Sequence, residues 1–394
     1  MSSIQTGGSH SLTAALTNLL ANQGVKAPHT GAPYSEALVL GIGGGLGAGY
    51  ILWEFKAHDS AKIVMGFRNR WNYPVEYLTN LATRINAKLT LQETGSMKAA
   101  AANLWEALAR DVPCMLWIDK AHLPHQYLPE AQKGYNSQVV GAYGWDAGEQ
   151  ALLVDDLGDS LFSVPKSVLT DGRKRIGSDK NRTILVNAPV NPDLQAAVLA
   201  GIQDCVEHLG RDSESFSLPV YDKWAKLMTN PKNPKSWAVV FKERIGLYET
   251  LRSVYEGIIL NDTEGCGLRG LYAQFLDEAA TILANPALQT AATAYREAAE
   301  IWGALADAAL PEKVEVFAQT RALLHRRYAL LKAGQSAELA AVTAQLDTLQ
   351  DALKRDFPLN TANTNALFEA MQAQLNSLYW REKAALELLR EAVA

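Results

Sequence analysis

Two hydrophobic periods run through this chain, and the change between them falls near Lys180. Leu12, Leu16, Leu19 and Leu20, directly after Ser11, recur at i, i+4, i+7 and i+8 and line one face of a helix that Gly24 ends. An apolar run at residues 37–40 leads into a glycine cluster from Gly41 to Gly49, a second run at 50–53, and a strand-like stretch at 62–67. Residues 75–87 and 97–109 carry helical spacing, with 88–91 between them as a short strand. Residues 114–118, 138–143 and 151–154 follow as strand candidates, and the Asp146-Ala147-Gly148 turn makes the last two an antiparallel hairpin.

Residues 184–186 still have strand character. From about Asp193 onward nearly every segment is Ala- and Leu-rich with helical spacing, interrupted at Pro219, Pro231, Pro234, Pro286, Pro311 and Pro358. Residues 314–332 and 337–355 form long amphipathic helices suited to pairing, and 365–393 a third. Helices first, an antiparallel sheet later, then helices alone predict an α+β domain over 1–185 and an all-α domain over 190–312. Residues 313–394 then form a helical extension, a candidate for homodimer formation.

A length of 394 residues exceeds one ordinary core, and 48% apolar against 20% charged residues excludes a disordered chain. The net charge of -5 comes without a basic stripe, so nucleic acid is not expected as a partner. Cys114, Cys205 and Cys266 are odd in number and far apart, which supports neither a disulfide framework nor a zinc site; they fit reduced thiols in a cytoplasmic protein. No stretch approaches eighteen apolar residues and the N-terminus lacks a leader pattern, so no membrane partner is expected. No two histidines share a face with carboxylates at ligand spacing, so neither a metal nor another cofactor is expected.

Gly43-x-Gly45-x-x-Ala48 formally satisfies a dinucleotide fingerprint. That fingerprint needs a helix opening at its third position and an acid about twenty residues on. Here the following strand ends in Gly66-Phe67-Arg68-Asn69-Arg70 without an acid, so a structural glycine loop is the better reading.

Several separated segments together resemble the N-terminal domain of the butirosin-biosynthesis H family. They are Ser35-Glu36-Ala37 leading into residues 40–47, Glu93-Thr94-Gly95-Ser96, residues 113–119, Leu123-Pro124-His125, and the hairpin from Gly144-Trp145-Asp146 to Asp155-Asp156. Residues 264–276 and 298–302 resemble that family's usual C-terminal partner domain. The resemblance implies a papain-like first domain, related to bacteriocin-processing peptidases. It also implies transfer of an acyl or peptidyl group from a carrier-protein thioester to an amine-bearing small molecule in specialised metabolism. The family's nucleophilic cysteine follows a histidine at the first helix, its base opens a hairpin strand, and its orienting aspartate lies on the partner strand. These positions correspond to Ser11 after His10, to Gln138, and to Asp156 with Asp155 beside it, so two of three groups are exchanged.

The exchange changes the chemistry. A thiol beside a helix N-terminus ionises readily, whereas a serine hydroxyl needs a base within about 3 Å, and a glutamine amide cannot take a proton and return it. His10, His122 or His125 could substitute, with His125 best placed if its loop folds over the cleft. Backbone amides near Ser11 would supply the oxyanion donors. Ser11 is equally suited to a helix N-cap, Gln138 to a strand polar position, and Asp155 and Asp156 to turn amides. Gly43, Gly45, Asp119 and Arg269 complete the candidate substrate-binding set, Arg269 as partner of a carboxylate or phosphate or, in a bland alternative, of Glu264. The expectation is an acyltransferase-type protein with an impaired or altered triad; the alternative is a non-catalytic protein that binds a carrier protein or metabolite.

Overall fold

The structure, a computed structural model, describes residues 4–55, 60–263 and 265–394. In chain order its elements begin with α1 (Ser11–Asn22), α2 (Glu36–Ile42), β1 (Leu46–Phe55), β2 (Ser60–Arg68), α3 (Pro74–Arg84), β3 (Leu89–Gln92) and α4 (Met97–Leu108). There follow β4 (Cys114–Asp119), β5 (Ser137–Trp145), β6 (Ala151–Asp155), β7 (Phe162–Pro165), α5 (Lys166–Arg175) and β8 (Thr183–Val186). The rest is helical: α6 (Leu194–Leu209), α7 (Pro219–Thr229), α8 (Trp237–Val240), α9 (Leu247–Ile259), α10 (Arg269–Ile282), α11 (Ala287–Ala309), α12 (Glu315–Lys332), α13 (Ser336–Arg355) and α14 (Thr361–Ala392). A mixed first half with a sheet thus precedes a helical second half. Among the described residues no helix is long and apolar enough to cross a membrane.

Two compact units emerge, and neither is contiguous in sequence. One comprises the chain up to Val39, Ile85–Asp193 and Arg326–Ala344; the other comprises Leu40–Arg84, Leu194–His325 and Gln345–Ala394.

In the first unit six strands form an antiparallel sheet in the order β3-β8-β4-β5-β6-β7. Alternation along the strands gives each face its own helices. Cys114, Leu116 and Ile118 of β4, Val140 and Ala142 of β5, and Leu152 and Val154 of β6 pack with Leu104 and Leu108 of α4 and Leu169 of α5. On the other face α1 covers β5, where a Cβ at Gly141 would come 3.5 Å from Leu19 Cδ1. Each of these buried leucines contributes roughly 1.5–3 kcal/mol.

The second unit holds the two-stranded ribbon of β1 and β2, paired from Leu46 opposite Arg68 to Phe55 opposite Ser60, together with its helices. Trp224, Trp237 and Trp302 are fully buried there. The glycine fingerprint sits between α2 and β1, so a helix precedes it and a strand follows. That is the reverse of the order a dinucleotide turn requires.

Candidate functional site

Asp156 directly follows β6 and its side chain is wholly buried. Its Oδ2 accepts hydrogen bonds from His125 Nε2 at 2.9 Å and Gln126 Nε2 at 2.6 Å, and its Oδ1 accepts one from Gln138 Nε2 at 2.7 Å. Burial alone would raise this carboxyl, but His125, Lys120 and Gln138 outweigh it and hold the group below the ordinary aspartate range. The pairing of β5 with β4 dictates the arrangement: Gln138 opposes Ile118 and shares a face with Val140 and Ala142. His125 arrives on the loop after β4 and stacks on Phe162 at 4.0 Å between centroids. Because Nε2 donates to Asp156, neutral His125 carries its lone pair on Nδ1, and that atom is buried without a hydrogen-bond partner.

The start of α1 is organised by different groups. His10, not Ser11, is the N-cap: its Nδ1 accepts from the Thr13 amide at 3.3 Å, which places Ser11 in the first helical turn. The reading of Ser11 as N-cap is corrected accordingly. Glu36 accepts the amides of Ser9 and His10, each at 2.9 Å, and the Thr13 hydroxyl at 2.8 Å, so an anion already occupies the electropositive end of this helix. Those two amides are therefore engaged and not open to an oxyanion. Asp155, one residue before Asp156, turns to the α1 face, where it accepts from Gly7 N at 3.1 Å and Asn18 Nδ2 at 2.7 Å. Burial raises its carboxyl to about 6.

Leu19 lies over Gly141, and Asn18 bonds Asp155, which pairs with Gly141, so α1 packs against β5 through its C-terminal half. None of the hydrogen-bond partners of Asp156 belongs to α1.

A buried aspartate after one hairpin strand, bonded to a glutamine of the strand before it, is the geometry against which the sequence comparisons stand. Residues 10–156 match the family model of butirosin biosynthesis protein H, N-terminal. Over those residues the chain has a butirosin H-type N-terminal domain. Residues 172–344 match a domain of unknown function, DUF4872, so the butirosin H-type domain is followed by a separate C-terminal domain. No curated protein matches the chain.

Of the residues singled out from sequence, Gln138, His125 and Asp156 thus meet directly in the butirosin H-type domain, whereas Ser11 and His10 lie at the start of α1. Asp119 ends β4 fully buried, and its Oδ2 accepts from His122 Nδ1 at 2.7 Å and Gly134 N at 2.8 Å, tying down the loop that carries His125. Gly43 and Gly45 lie in the second unit, where a Cβ would strike Tyr77 at 2.2 Å and Tyr272 at 2.4 Å; they permit close packing. Arg269, also in the second unit, is fully buried and bonds both carboxylate oxygens of Glu382 at 2.8 Å. Glu264 lies outside the described residues. Burial lifts the thiols of Cys114 to about 12, Cys205 to about 11 and Cys266 above the usual value, so none offers a ready thiolate in place of the family's cysteine. Gln126 and Glu36 were not singled out as site residues. The position of Gln126 beside His125 was a usable signal, whereas the reach of Glu36 back to Ser9 left none.

Proposed function

We propose that this chain is a butirosin H-type biosynthetic protein with a papain-like first domain that has exchanged thiol acyl transfer for binding. Its partner would be an acyl-carrier thioester or an amine-bearing metabolite. The observation that carries this reading is the environment of Asp156: two of its three donors are amides, which neither take up nor return a proton. With serine at the nucleophile position and glutamine at the base position, the relay that would ionise the nucleophile has no member at its centre. A second reading rests on the His125–Asp156 pair, which retains an acid-oriented imidazole with Nδ1 as its free base nitrogen. In that reading the loop moves and His125 serves Ser11 by another route.

Intact-protein mass spectrometry after incubation with acyl-N-acetylcysteamine and carrier-protein thioesters tests the proposal. The wild type is expected to gain no acyl increment, whereas Ser11→Cys/Gln138→His is expected to gain one, because it restores the thiol and the imidazole that the family resemblance implies at those positions. An increment on the wild type that Ser11→Ala abolishes would overturn the binding reading and favour the second.

A further inference from the structure

On the α4–α5 side of the first unit a half-open cavity of about 460 Å³ is lined by Ala100, Ala101, Leu104, Trp105 and Leu169, with Trp145, Lys166 and Arg173 among its polar or amphipathic members. Two cations meet these apolar walls, and neither has an acid of its own. Lys166 makes no ion pair among the described residues; its Nζ lies 5.1 Å from the Trp105 ring centre and 4.7 Å from that of Trp145. Arg173 is 4% exposed, yet its hydrogen bonds go only to neutral oxygens: the carbonyls of Ala100 and Asn181 and the hydroxyl of Thr183. A buried guanidinium without a carboxylate is costly and leaves positive potential in its surroundings. Glu106 is the single acid on the lining, and it is exposed. Trp105, 40% exposed, forms a wall of apolar surface beside that positive potential.

We infer that this cavity is a binding site for an amphiphilic monocarboxylate. Its carboxylate would pair with Lys166 in the field of Arg173, and its hydrocarbon body would lie along Ala101, Leu104 and Trp105. Charge selects the anion, and the aliphatic and indole walls select the tail. The site is separate from the Asp156 group and does not depend on whether Ser11 is reactive.

Octanoate serves as the probe on the full chain, with methyl octanoate as its uncharged counterpart, both followed by isothermal titration calorimetry and ligand-observed NMR. Octanoate is expected to bind in the millimolar range or tighter, and methyl octanoate at least about tenfold more weakly, a difference of about 1.4 kcal/mol. Lys166→Met keeps the stem against the two indoles and should weaken octanoate about tenfold while leaving the ester unchanged. Ala101→Trp fills the exposed side of the groove and should abolish both signals. Circular dichroism confirms that each variant folds. No binding of octanoate to wild type, equal binding of acid and ester, or unchanged binding in Ala101→Trp would each overturn the assignment.

Discussion

Asp155 and Asp156 are adjacent in sequence and serve opposite faces of one sheet. Asp155 faces α1, holds Gly7 and Asn18, and is raised to about 6 by burial that its two donors do not offset. Asp156 faces the other way, holds three side chains, and is lowered despite complete burial. The difference shows that the charge of neighbouring groups, here His125 and Lys120 beside Asp156, more than depth, decides which of two neighbouring carboxylates is a firm anion. It also separates two groups of candidate residues: Asp156, Gln138 and His125 belong to a closed cluster, and Ser11 belongs to a helix start governed by His10 and Glu36.

The sharpest way to break the comparison is to remove each acid. Asp156→Ala leaves His125 Nε2, Gln126 Nε2 and Gln138 Nε2 without their acceptor, and is expected to cost about 3–5 kcal/mol in urea unfolding. Asp155→Ala strands one amide and one side-chain donor near the surface segment before α1, and is expected to cost about 1–2 kcal/mol. Equal losses at the two positions would mean that the closed cluster around Asp156 contributes no more than an ordinary pair of hydrogen bonds.

Dependence on pH gives the next effect, with opposite signs. The folded value for Asp155 lies above that of an unfolded chain, so its contribution is fully present below about pH 4 and is lost as pH rises through about 6. The span is at most about 3 kcal/mol. Asp156 is depressed on folding, so its contribution is present above about pH 4 and is lost only as pH falls through its folded value. Unfolding of the wild type and Asp155→Asn between pH 4 and 7 isolates the first group. The wild type should lose stability relative to the variant as pH rises, and a difference that stays flat would place Asp155 at an ordinary value.

How much of this could be read from the chain follows from the range of the interactions. β4, β5 and β6 were legible as short apolar runs of strand length, and the Asp146-Ala147-Gly148 turn fixed the hairpin that joins Gln138 to Asp156. β7 and α5 went unread. Over Lys166–Arg175 only Leu169, Gly172 and Arg173 are buried, and the glycine is there because a Cβ would come within 2.8 Å of Ile118 and His122. The apolar run at 37–40 proved to be helix α2, since four apolar residues in a row suit either period. Within the site, His125 was legible as a loop histidine near the hairpin. Gln126 on Asp156 acts across 30 residues and only its place beside His125 hints at it, whereas Glu36 on the amides before α1 acts across 26 residues with nothing local to mark the contact.

A smaller effect is expected at Gln138. Gln138→Leu removes one of three donors from Asp156 and keeps a side chain of similar bulk on the buried face, so the loss should be about 1–2 kcal/mol by chemical denaturation. A loss as large as that of Asp156→Ala would make the amide, not the imidazole, the chief partner of the acid.

The smallest effect is expected at Ser11. Because His10 caps α1 and Glu36 neutralises its start, the hydroxyl of Ser11 is not needed for the cap, and alanine has the highest helix propensity. Ser11→Ala should change stability by less than about 1 kcal/mol and leave octanoate binding untouched. Set beside Asp156→Ala, this would show that the buried acid organises the structure far more than Ser11 does. A loss above about 2 kcal/mol would instead make Ser11 a structural anchor of the start of α1.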